Sequence, residues 1–135
     1  YEPLYPLLKH KPEFLFEAAQ SLSKTGQYEK ANEYLERAVL LSSDPMLYYV
    51  MAKNEQCLGE YRQAEKHLLH AIDILPERIY PYYLLMNLYT EPSYFQPAKL
   101  KMAIDSVLTK KPKVESSAIK EMKEKARSML NNTSI

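Results

Sequence analysis

Two histidines, His67 and His70, stand three residues apart, a spacing that puts both on one side of a helix where they can share a metal ion. No third ligand accompanies them: Cys57 falls on a different helix and His10 stands alone near the start. The pair is therefore read as two solvated histidines, and no metal is expected. The carboxylate pairs Glu13/Glu17 and Glu29/Glu33 are four apart on exposed helix faces, which suits solvated surface better than an acid–base pair. There is no glycine-rich phosphate loop, no zinc spacing, and no Ser, Cys or Lys with a general base beside it in the pattern. The expectation is a non-enzymatic chain with no catalytic residue and no cofactor.

Charge narrows the partners further. Residues 1–98 hold 9 Lys/Arg against 13 Asp/Glu, a balance of −4, and residues 99–135 hold 9 against 4, a balance of +5. An acidic main body disfavours nucleic acid. The basic end reads as the solvated face of a lysine-rich final helix, with anionic lipid or an acidic partner as the other reading. No run of about 18 apolar residues exists, so no direct membrane insertion of this segment is expected. The single Cys57 cannot form an internal disulfide. The opening Tyr1-Glu2-Pro3 carries neither an initiator Met nor a signal peptide, which reads as a piece of a longer or processed protein.

The elements that must carry these residues are helices. Gly59-Glu60-Tyr61 continued by Ala64, Leu68, Ala71 and Pro76 repeats the earlier Gly26, Tyr28, Ala31, Leu35 and Ala38, with 33 residues between the glycines. Apolar residues at one-, three- and four-residue spacings predict helices over 13–24, 28–41, 45–58, 61–75, 79–90, 97–109 and from Ser116 or Ser117 to about Leu130. Pro12, Asp44-Pro45 and Pro97 mark starts, and Gly26 and Gly59 mark stops. In a third copy Glu91-Pro92-Ser93 replaces the glycine, and Ala98 and Met102 are expected to take the places of Ala64 and Leu68. The division expected is a lead-in at 1–11, three repeats at 12–44, 45–78 and 79–112, a capping helix at 115–130 and a frayed tail at 131–135. Lys120, Glu121, Lys123, Glu124 and Lys125 are expected on the outer face of the cap.

This pattern resembles the tetratricopeptide repeat: Leu15, Ala18, Ala19 and Leu22 in one copy, Tyr48, Met51, Ala52 and Glu55 in the next, Tyr82, Leu85, Met86 and Tyr89 in the third. The resemblance covers about residues 12–109. It implies an all-α, right-handed α-solenoid of about three helix pairs plus a C-terminal capping helix, serving as a protein-interaction scaffold. More narrowly, Tyr5-Pro6-Leu7-Leu8-Lys9-His10, Pro76 to Tyr83, and Ala118 to Met122 look similar to the tails of O-antigen ligase- or polymerase-like membrane proteins of Bacteroides-type bacteria. That resemblance implies a soluble C-terminal part tethered to the bacterial inner membrane through an upstream region, in surface-polysaccharide assembly.

In such an array the first helix of each pair lines a concave groove. The residues expected there are Phe16 and Gln20, then Tyr49 and Lys53, then Tyr80, Tyr83 and Asn87. Phe16, Tyr49 and Tyr83 are equivalent, forming an aromatic ladder with polar groups beside it. A protein or peptide segment suits it, since aromatics give large contact area at low entropic cost. Phe16, Val50, Tyr80 and Leu84 stand where chaperone-tail-binding relatives use Lys and Asn, so that activity is not expected. Two other readings stay open: a structural tail that self-associates, its ladder covered by the lead-in or the last helix, and an accessory glycan-binding module.

Overall fold

A computed structural model describes residues 11–132. The described residues form seven α-helices and no strand: α1 Pro12–Lys24, α2 Tyr28–Ala38, α3 Pro45–Cys57, α4 Tyr61–Ile74, α5 Tyr80–Tyr89, α6 Pro97–Thr109 and α7 Ser117–Asn132. Residues 1–10 of the expected 1–11 lead-in and the last three residues lie outside them. Asn131 and Asn132, expected in a frayed tail, continue α7.

The boundaries follow local chemistry. Asp44 accepts a hydrogen bond from the backbone N–H of Met46 at 3.0 Å, satisfying one of the free amides that open α3. Ser116, rather than Ser117, caps α7 by accepting from Ile119 N–H at 3.2 Å. After α1 the N–H of Gln27 reaches Leu22 O and that of Gly26 reaches Ser23 O. After α3 Glu60 and Gly59 repeat this onto Glu55 O and Gln56 O. Both closures need a left-handed residue, and Gly26 and Gly59 supply it at φ 81° and 78°. α2 stops three residues earlier than periodicity alone suggests. Val39 to Leu41 form a tight turn, and Leu40 is left 83% exposed.

The chain divides after Ile74 into two compact units. In the first, α1 packs on α2, α3 on α4, and α2 and α1 both meet α3. Leu15, Leu35 and Leu68 are 0%, 0% and 2% exposed. Burying a leucine side chain stabilises by about 1.5–3 kcal/mol. Ala18, Ala19, Ala31, Ala38 and Ala52 lie at the same contacts and let the helices approach.

In the second unit α5 packs on α6, and α7 meets α6 and, more lightly, α5. Here the expected register of α6 is wrong. Ala98 is exposed and Met102 is 69% exposed, while Leu100, Ala103, Ile104 and Val107 form the buried face. Leu100, Ile104 and Val107 take the places of Ala64, Leu68 and Ala71. The reason is the longer connection. A three-residue turn joins α3 to α4, whereas α5 and α6 are joined through a short 3-10 turn at Pro92–Tyr94 that displaces the face by two residues.

Candidate functional site

In the first unit the face in question belongs to α1 and α3. Phe16 is half-buried and packs, with Val50, against the edge of the core. Gln20 and Lys53 are exposed. Tyr49, expected to stand outward, is only 5% exposed. Its ring is drawn into the fold, so within this unit the apolar part of the face is Phe16 and Val50. Near the start of both helices, Pro12, Glu13, Phe16, Ser42, Asp44 and Leu47 line a shallow pocket of about 130 Å³.

Those two helices are held in place by buried polar groups that the amphipathic pattern conceals. The Ser23 hydroxyl of α1 donates to Asn54 Oδ1 of α3 at 2.8 Å. Asn54 Nδ2 donates to Asn32 Oδ1 of α2 at 2.8 Å, and Asn32 Nδ2 donates to the carbonyl of Met51 at 3.2 Å. Asn32 and Asn54 are 8% and 3% exposed, so these two amides are shielded from water, and hydrogen bonds are electrostatically stronger in such an interior. The sequence did hold a signal: Asn32 and Glu65 are 33 residues apart, each following a core alanine, and both are buried.

His67 is not a freely solvated histidine. Its Nδ1 lies 2.7 Å from Glu55 Oε1, a carboxylate whose side chain is 8% exposed. The two side chains share a hydrogen bond at that distance. The Tyr48 ring sits 5.8 Å from the His67 ring and 4.6 Å, edge-on, from that of His70. Tyr48 and Glu55 therefore engage the pair, tying α3 to α4. Among the described residues no three His, Cys, Asp or Glu side chains converge as metal ligands. Where α2 begins and α3 ends, exposed Cys57 raises the Tyr28 phenol above its ordinary value of 10.0, through hydrogen bonding first and charge second.

In the second unit Tyr80, Tyr83 and Asn87 fall within two turns of α5. The rings of Tyr80 and Tyr83 lie 6.4 Å apart with an interplanar angle of 24°. Lys125 of α7, expected to point only to solvent, places its Nζ 5.5 Å from the centre of the Tyr83 ring. The side-chain oxygen of Asn87 is buried and accepts no hydrogen bond. Lys123 is also not an outer-face residue. Its Nζ donates to the carbonyls of Val107, Leu108 and Lys110 at 2.9, 3.2 and 2.9 Å, closing the C-terminal end of α6. A cation there meets both unsatisfied carbonyls and the negative end of the helix dipole.

Antiparallel helix pairs, closed at two of three turns by a left-handed glycine and packed by alternating alanine and leucine, define a tetratricopeptide-like helical repeat. Within that class the chain belongs to the family described as anaphase-promoting complex, cyclosome, subunit 3, whose model matches residues 1–71. Among solved structures, that of MamA is similar with a TM-score of 0.73 and 20% sequence identity, over 97% of this chain and 75% of that one. At this identity the likeness concerns the fold alone. No curated protein matches the chain by sequence.

Proposed function

We propose that this chain is a non-enzymatic interaction scaffold that takes a protein or peptide segment along the first helices of its repeats. The observation that carries the reading is the α1 and α3 face. There the half-buried apolar Phe16 and Val50 adjoin the exposed polar Gln20 and Lys53. An apolar strip flanked by hydrogen-bonding side chains suits a segment whose own backbone groups need partners. The printed name of the matching family, a subunit of a multi-protein complex, supports a scaffold role. In the second unit Tyr80, Tyr83 and Asn87 supply the corresponding chemistry. The stretches Pro76 to Tyr83 and Ala118 to Met122 support a finer proposal, that the parent is a membrane-bound protein of surface-polysaccharide assembly. Long apolar spans encoded upstream of Tyr1 would agree with it, and their absence from the gene would remove it.

The test of the scaffold reading is partner capture with the full chain. Gln20→Glu combined with Lys53→Glu leaves every core residue in place and reverses the polar character of the face. Loss of a captured partner, with far-ultraviolet circular dichroism unchanged, is the expected result. A partner retained at full strength by this variant and by Tyr83→Ala means that these faces are not the binding surface.

A further inference from the structure

We infer that the connection between α6 and α7, from Lys110 to Val114, is a contact surface for an anionic lipid bilayer. It belongs to the second unit, whereas the α1 and α3 face belongs to the first, so it adds a second kind of partner to the scaffold reading.

The first support is charge joined to an exposed apolar tip. Lys110, Lys111 and Lys113 are three of the five residues, and Val114 is 76% exposed. Lys111 and Lys113 are exposed beside it. Glu115 follows, which leaves residues 110–115 at +2. The second unit, residues 75–135, holds 10 Lys/Arg against 6 Asp/Glu, a balance of +4, while residues 1–74 hold 8 against 11, a balance of −3. Positive charge is thus concentrated in the unit that carries the connection. Lysines held near an anionic leaflet are attracted to it, and an aliphatic tip among them gains by leaving water.

The second support is the way the connection is held. Lys123 Nζ donates to the carbonyls of Val107, Leu108 and Lys110, which fixes the backbone where the connection leaves α6. Lys110 Nζ stands 4.9 Å from the centre of the Tyr82 ring. At the far end Ser116 caps α7 through the N–H of Ile119. Pro112 restricts the backbone between them. With both ends fixed, little ordering remains to offset the attraction when Lys111, Lys113 and Val114 meet a surface.

The third support is the kind of residue present. Anchors at protein interfaces are mostly Trp, Tyr and Arg, and the connection has none of them. Lysine is a compact point charge on a flexible stem, without the rigid fork that fixes one carboxylate in one geometry. Lysines around a small aliphatic tip suit a field of headgroups over hydrocarbon better than a single shaped partner.

The experiment is co-sedimentation of the full chain with vesicles of phosphatidylglycerol and phosphatidylcholine in equal parts, and with vesicles of phosphatidylcholine alone. Binding to the mixed vesicles only, falling as salt is raised, is the expected result. Lys111→Ala combined with Lys113→Ala is expected to weaken it about twenty- to thirtyfold, close to fivefold for each lysine. Val114→Asn keeps the charge and is expected to weaken it about threefold to tenfold. Lys24→Ala combined with Lys66→Ala removes the same charge from exposed positions of the first unit and is expected to leave binding as it was. Circular dichroism confirms that each variant keeps its helices. No binding to the mixed vesicles, equal binding to phosphatidylcholine alone, or an equal loss from Lys24→Ala with Lys66→Ala overturns the inference. So does unchanged binding in Val114→Asn. Capture of a soluble glutamate–alanine peptide as tightly as the vesicles also overturns it, and assigns the connection to an acidic protein segment. The scaffold function is tested separately, by partner capture with Gln20→Glu and Lys53→Glu, and stands if the vesicles fail to bind.

Discussion

Asn54 is the residue whose loss would be felt furthest. Its amide joins Ser23 of α1 to Asn32 of α2, each at 2.8 Å, and it is 3% exposed. In Asn54→Ala both bonds vanish, and Asn32 Oδ1 is left buried with no donor. Two net hydrogen bonds of about 0.5–1.5 kcal/mol each, together with the desolvation of the orphaned oxygen, give a loss of about 2–4 kcal/mol. Urea unfolding followed by circular dichroism measures it, with an unchanged slope marking a pure stability effect. Ser23→Ala removes one bond at a half-buried edge and is expected to cost roughly 1 kcal/mol. The sharper test is a double-mutant cycle between Asn32→Ala and Asn54→Ala, with an expected coupling of about 1–2 kcal/mol. A loss below about 0.5 kcal/mol for Asn54→Ala, or additive single changes, refutes the account of these amides as the link that spaces α1 from α3. Because α1 and α3 carry the proposed binding face, the variant is also expected to weaken partner capture before it abolishes helicity.

Two further outcomes follow from helix ends. Gly59→Ala places a side chain at φ 78° in open space, with no neighbour within 4 Å. The cost is then conformational alone, about 1–2 kcal/mol in thermal or urea unfolding. A neutral result would mean that the turn relaxes out of the left-handed region. Lys123→Met removes three donors from the carbonyls at the end of α6 and is expected to cost about 1–3 kcal/mol. Hydrogen exchange is expected to rise across α7 first, and protection kept throughout α7 argues against the clasp.

What was legible in the sequence was mostly local. Pro12, Pro45 and Pro97 open helices because their fixed φ fits and no needed donor is lost. Asp44 caps α3 with its own side chain, and Gly26 and Gly59 close α1 and α3 in the left-handed conformation that their turns use. The 33-residue spacing of those glycines carried the repeat, and with it the all-helical fold. The register failed where the local rule changed. Without a glycine after α5, the chain takes a longer path through Pro92–Tyr94, and the buried face of α6 moves from Met102 to Ile104.

The candidate site was less legible, because exposure there depends on distant residues. Phe16 and Tyr49 occupy equivalent repeat positions, yet one is half-buried and the other is 5% exposed. Lys123 and Lys125 both read in the sequence as outward lysines of the last helix, but one closes the end of α6 and the other stands over a tyrosine ring. His67 looks solvated until Glu55, twelve residues earlier, is brought to 2.7 Å. The sequence by itself determined where helices begin and end, since dihedral preference, capping and periodicity act within a few residues. Only the tertiary structure decided which polar groups are buried together and which aromatic face is covered. Those outcomes are set by the packing of neighbouring helices, through contacts that no short window of the chain contains.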